Sequence, residues 1–102
     1  MSRTFKVFGK KTCPFCPKAR AKVEYFVKRW KVDAPVVYYD IDVPEGMAEG
    51  AWYDVFETPT IVLEESGAIL KRWVKFPPLF QELKPMFTIN DAATDETVPE
   101  TA

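Results

Sequence analysis

Histidine is absent from the 102-residue sequence, and cysteine occurs only twice. The first absence removes the usual general base at neutral pH, so proton transfer falls to a cysteine, a lysine, a carboxylate or water. Together the two scarcities leave one chain with two thiolates where a zinc or iron–sulfur centre needs about four ligands. A metal reading therefore survives only as a centre shared between two chains. No window approaches the roughly 18 consecutive apolar residues of a membrane-spanning helix. The opening Met1-Ser2-Arg3-Thr4-Phe5-Lys6 also lacks the apolar stretch and small-residue cleavage site of a secretory signal. The expectation is a soluble, cytoplasmic protein with no membrane partner.

The hydrophobic share of 47% and the aromatic share of 15% suffice for one modest core at this length, so a single domain is expected. Net charge is only -1, but it is unevenly spread. Residues 1–31 hold ten lysines and arginines against one acid, Glu24, and residues 32–102 hold four against fourteen. The basic residues lie in a strand, a turn and a helix without a recognised nucleic-acid motif. They read as a solvated helix face and an electropositive setting for the cysteines, and no nucleic-acid partner is expected.

Thr4-Phe5-Lys6-Val7-Phe8 alternates as a strand and ends at Gly9. From Pro14 to Trp30, Ala19, Val23, Phe26, Val27 and Trp30 recur every three or four residues, which predicts a long amphipathic helix. Asp33-Ala34-Pro35 breaks it. Val36-Val37-Tyr38-Tyr39-Asp40-Ile41 is more continuously apolar, as a buried parallel strand would be. A second helix is predicted over residues 45–56, with Met47 or Ala48, Ala51 or Trp52, and Val55 turned inward and its first turns weakened by Gly46 and Gly50. After Thr58-Pro59-Thr60, a hairpin pairs residues 61–64 with 69–74 through Glu65-Ser66-Gly67. Pro77-Pro78 introduces a last helix, residues 79–87, that Pro85 should bend or shorten. The acidic stretch from Thr88 onward reads as a disordered tail.

Both cysteines fall in Lys10-Lys11-Thr12-Cys13-Pro14-Phe15-Cys16-Pro17, where strand gives way to helix. A purely structural bridge between them would constrain little chain, so the pair reads as a redox-active dithiol. With Pro14 as first helical residue, Cys13 would cap the helix, its sulfur facing amide hydrogens at the positive end of the dipole and its pKa lowered. Lys10 and Lys11 add a smaller effect. Cys16, one turn inside, would be less exposed and placed to resolve a mixed disulfide formed at Cys13. Pro17 removes the N–H that would have bonded the Cys13 carbonyl, which should loosen that turn. Trp30, Trp52 and Trp73 read as core or edge packing.

The order βαβ, helix, ββα, with Cys13-Pro14-Phe15-Cys16 closing the first strand and Thr58-Pro59 before the third, resembles the thioredoxin fold, in particular its glutaredoxin-like form. The resemblance spans residues 4–87. It implies an α/β domain over residues 1–87, built on a four-stranded mixed sheet with helices on both faces, followed by the tail at 88–102. It further implies a thiol–disulfide oxidoreductase acting on protein or glutathione mixed disulfides, with Cys13 as nucleophile and Cys16 as resolving thiol. Pro59 would be cis and face Cys13. Thr58 and Pro59 would clamp the substrate, Phe15 would form a contact surface, and Lys10 would bind a glutathione carboxylate. Cys-Pro-Phe-Cys differs from the glutaredoxin Cys-Pro-Tyr-Cys by one hydroxyl, and Lys10 matches a glutaredoxin lysine. The Gly-Gly-Cys-Asp type segment that holds the γ-glutamyl end of glutathione is absent, with Ile69-Leu70-Lys71-Arg72 at about its place. Thr58-Pro59-Thr60 and Asp40-Ile41-Asp42 look more like thioredoxin, whose buried aspartate corresponds here to Val7. No bound cofactor is expected, with glutathione a candidate reductant or co-substrate. The expected partners of this monomer are disulfide-containing proteins and, as electron donor, glutathione or a thioredoxin-reductase-type flavoprotein. The rival reading is a non-catalytic module whose dimer bridges a metal or iron–sulfur centre.

Overall fold

A computed structural model describes residues 2–89 of the chain. The expected tail therefore lies, from residue 90 onward, outside the described residues. The elements are β1 (Arg3–Gly9), α1 (Cys16–Arg29), β2 (Val36–Asp40), α2 (Pro44–Trp52), β3 (Thr60–Glu65), β4 (Ala68–Val74) and α3 (Phe80–Leu83), the last running into a 3-10 turn, Lys84–Phe87. The strands form one mixed sheet in the order β2-β1-β3-β4. β1 is parallel to β2, with Val7 beside Tyr38, and antiparallel to β3, which pairs antiparallel with β4.

Side chains alternate across the central strands. Phe5 and Val7 of β1 join Ile61 and Leu63 of β3, Trp73 of β4, and Ala19, Val23 and Phe26 of α1 in the larger core, closed by Phe80 and Leu83 of α3. The opposite face holds Phe8, Val62 and Tyr53 beneath α2. Ser66 and Gly67, both at positive φ, make the tight turn between β3 and β4. Pro85 ends α3 after one turn because it cannot donate to the α ladder, and the chain continues as the tighter 3-10 turn.

Three expectations are corrected. β2 is parallel as expected, but as an edge strand it is half-buried along its length and not buried. α2 ends at Trp52 and turns its glycines inward: Gly46 and Gly50 are its buried residues, while Met47 and Trp52 are exposed. The reason is close packing, since a Cβ on Gly46 would collide with the Asp40 carbonyl. Trp52, 79% exposed, is accordingly a surface residue and not a packing one. The last helix, predicted from residue 79, starts at Phe80, and Leu79 before it is exposed.

Candidate active site

β1 delivers the chain to the edge of the core at Gly9, and a turn closed by the Cys13 N–H on the Lys10 carbonyl, 3.1 Å, carries it into α1. Cys13 and Cys16 are joined as a disulfide, their Cα atoms 5.5 Å apart. Cys13 is 8% exposed and Cys16 only 1%, so Cys13 is the sulfur a partner meets first. α1 begins at Cys16 with Phe15 as its cap, two residues later than the sequence predicts. Pro17 accounts for the delay: it has no N–H for the Cys13 carbonyl, so the ladder starts with the Ala19 N–H on the Phe15 carbonyl, 3.0 Å. Cys13 thus precedes the helix instead of capping it. It still lies at the end where the first amides lack intrahelical acceptors, and no acidic residue occupies the first turn to oppose a thiolate.

Behind the pair sits Gly9. A Cβ there would lie 2.6 Å from the Tyr38 hydroxyl and 3.0 Å from both Cβ and Sγ of Cys16, so only glycine leaves room for all three. The Arg20 guanidinium lies over the Tyr38 ring, 4.5 Å from its centroid. Burial, and after it the Asp40 charge, push the Tyr38 phenol above its ordinary value, with Arg20 acting in the opposite direction.

The Thr58–Pro59 peptide is cis. The Pro59 carbonyl accepts from the Lys75 N–H, 2.7 Å, and the Thr60 hydroxyl donates to the Glu57 carbonyl, 2.6 Å, which fix the loop against β4. Among the described residues the N–H and C=O of Thr58 have no hydrogen-bond partner. A groove of about 490 Å³ opens here, walled by Phe15 and Ala19 on one side, Thr58 and Pro59 on another, and Phe76 and Pro77 on the third. Lys18 and Lys75 complete its lining. Phe15 and Phe76 are 64% and 77% exposed.

Phe15, Thr58 and Pro59 are thus brought together next to the cysteine turn. Lys10 is in that turn but outside the groove lining, and its side chain makes no ion pair or hydrogen bond among the described residues. Sequence reasoning missed Lys18, Lys75, Phe76, Gly9 and Tyr38. An aromatic residue directly before Pro77-Pro78, in a loop with no core to enter, was the signal available for Phe76. Ile69-Leu70-Lys71-Arg72, assigned to the place of a glutathione-binding segment, lies within β4; Lys75-Phe76-Pro77-Pro78 follows the hairpin instead.

A charged cluster occupies the sheet face under α2. Lys6 Nζ lies 3.2 Å from Glu49, 3.3 Å from Glu64 and 2.9 Å from the Tyr53 hydroxyl, which itself donates to Glu64. Burial works against the Lys6 charge, but the Tyr53 and Glu49 hydrogen bonds and the Glu64 charge outweigh it, and its pKa rises. β1 is interior to the sheet, so this lysine is covered where a strand lysine would ordinarily be solvated.

The sheet order, the helices on its two faces and the cysteine pair at the β1–α1 junction define an α/β protein of the thioredoxin fold. Solved structures agree. A mutant thioredoxin from Halobacterium salinarum superposes with a TM-score of 0.69 at 26% identity, over 96% of this chain and 79% of that one. Thioredoxin 1 of Thermosipho africanus gives 0.66 at 17% identity over 83% and 94% of the two chains. Oxidised thioredoxin O2 of Arabidopsis thaliana gives 0.69 at 16% identity over 85% and 73%. Searched by sequence, the chain matches no protein-family model and no curated protein.

Proposed function

We propose that the chain is a thiol–disulfide oxidoreductase that reduces disulfides of protein clients through Cys13 and Cys16. The observation that carries this reading is the pairing of Cys13, the less buried of the two sulfurs, with a fully buried Cys16 near a groove whose Thr58 backbone is unpaired among the described residues. An extended client segment can pair with Thr58 while the aromatic walls hold its side chains.

In the reduced protein, the Cys13 thiolate attacks one client sulfur. A Cys13–client bond forms, the client disulfide breaks, and the electron pair leaves on the second client sulfur, which takes up a proton. Cys16 then loses its proton and attacks the Cys13 sulfur. The intramolecular disulfide forms, the mixed disulfide breaks, and the remaining client sulfur departs as a thiolate and is protonated. Two electrons have passed from the dithiol to the client. A two-electron donor, glutathione or a thioredoxin-reductase-type flavoprotein, restores the starting state.

Protein clients are favoured over glutathione by the segment after β4. Backbone N–H groups of a segment after the hairpin could hold the γ-glutamyl end of glutathione, and Pro77 and Pro78 have none to give. The test is turnover of a protein disulfide in two parallel assays, NADPH with thioredoxin reductase and glutathione with its reductase. The expected result is faster turnover in the first and loss of activity in Cys13→Ser. Activity that survives Cys13→Ser refutes the assignment, and faster turnover with glutathione refutes the preference.

A further inference from the structure

We propose that the Tyr38 hydroxyl donates the hydrogen bond that stabilises Cys16 as a thiolate while it resolves the mixed disulfide. The assignment rests on the reductase reading and supplies the partner that a buried resolving sulfur requires. Cys16 is almost without water contact, so its thiolate must be stabilised by protein donors or not form.

The geometry points to one donor. The hydroxyl oxygen and Cys16 Sγ flank the same small gap left by the missing Gly9 side chain, 2.6 and 3.0 Å from its centre, and are no farther apart than those distances laid end to end. Among the described residues the hydroxyl has no hydrogen-bond partner, and a half-buried phenol ordinarily has one. Tyr38 is held in place by its pairing with Val7 and by Arg20 over its ring. Opening the disulfide frees the Cys16 side chain from Cys13, so its sulfur can swing toward the hydroxyl and close the remaining gap.

The role is donation and not proton abstraction. The charged groups acting on the phenol are Arg20 from α1 and Asp40 from β2, while β1 presents only Val7 and Gly9. Their combined effect with burial keeps the phenol protonated at neutral pH, so the Cys16 proton passes to water or to the departing client thiolate and none is left on the tyrosine.

Tyr38→Phe removes the donor and little else. A charge-assisted hydrogen bond corresponds to roughly a tenfold change in thiolate fraction, so the Cys16 pKa should rise by about one unit. The more basic thiolate is intrinsically about threefold more nucleophilic. Resolution in Tyr38→Phe should therefore be about threefold slower at neutral pH and about threefold faster at a pH where both proteins are fully ionised. Stopped-flow reaction of the reduced protein with an aromatic chromogenic disulfide reads both steps, attack by Cys13 and release of the second chromophore by Cys16. The expected result is an unchanged first phase and crossing pH profiles for the second. An unchanged second-phase profile, or equal slowing of both phases at all pH values, overturns the role of Tyr38 and leaves the reductase reading standing. Absence of both phases in the parent protein overturns the two together. A thermal melt at the parent value shows that the variant is folded.

Discussion

Substituting alanine at Gly9 should destabilise the oxidised protein more than the reduced one. The added methyl group would stand 2.6 Å from the Tyr38 hydroxyl and 3.0 Å from Cβ and Sγ of Cys16. The hydroxyl is the far end of a side chain and can move, but Cys16 is the first residue of α1, and in the disulfide its sulfur is also tied to Cys13. Overpacking of this kind costs about 1 to 3 kcal/mol. We take about 2 kcal/mol for the oxidised form, a fall of roughly 10 °C in melting temperature for a domain of this size. In the reduced form the Cys16 thiol can rotate away and relieve about 1 kcal/mol of that cost. The difference raises the reduction potential by about 20 mV, making the variant a weaker reductant. Thermal melts with and without dithiothreitol, together with a redox titration against a glutathione buffer, measure all three quantities. Equal losses in both states, or an unshifted potential, would refute the contact between Gly9 and the disulfide as described.

Further expectations concern the opposite sheet face. Lys6→Met leaves Glu49 and Glu64 without their shared cation and should cost about 3 kcal/mol or more, read as a lower urea midpoint. Because the folded-state pKa of Lys6 is raised, its contribution is fully present below the ordinary lysine value of 10.5 and is lost as pH climbs through the higher folded value. The parent should therefore lose stability above pH 10.5 more steeply than Lys6→Met does. Gly46→Ala should destabilise by about 3 kcal/mol, since the new methyl meets backbone at Asp40. Gly50→Ala, whose methyl would rest 3.5 Å from Ile41, should be neutral or stabilising through helix propensity of about 1 kcal/mol. Equal melting temperatures for these two variants would contradict the close packing of α2.

Local signals carried most of the architecture into the sequence. The alternation in Thr4-Phe5-Lys6-Val7-Phe8, the spacing of Ala19, Val23 and Phe26, the turn read at Glu65-Ser66-Gly67 and the break at Pro85 each report on their own neighbourhood, and the structure agrees with them, except that Glu65 belongs to β3 and pairs with Ala68. What was not legible depends on residues far apart in the chain. α2 packs through Gly46 because the Asp40 carbonyl is beneath it, so a helix read for large apolar residues has its inner face assigned wrongly. The apolar run of β2 suggested a buried parallel strand; it is parallel, but its place at the sheet edge, a property of the whole strand order, leaves it half-buried.

The cysteine pair was legible as a motif, and resemblance pointed to Thr58-Pro59, which shares a groove with Phe15. Phe76 and Lys75 were not, because nothing local says that the end of a hairpin returns to the start of α1. Tyr38 is a further case. Only the parallel register that sets it beside Val7 puts its hydroxyl next to Cys16.

The division of labour between the two sulfurs is the centre of the account, and trapping tests it most directly. Each single-serine variant, reduced and mixed with a peptide disulfide at neutral pH, is sampled for its mass. Cys16→Ser should accumulate one peptide on Cys13, while Cys13→Ser should accumulate almost none. Equal adducts in the two variants, or an adduct only in Cys13→Ser, would contradict the assignment of Cys13 as nucleophile and Cys16 as resolving thiol.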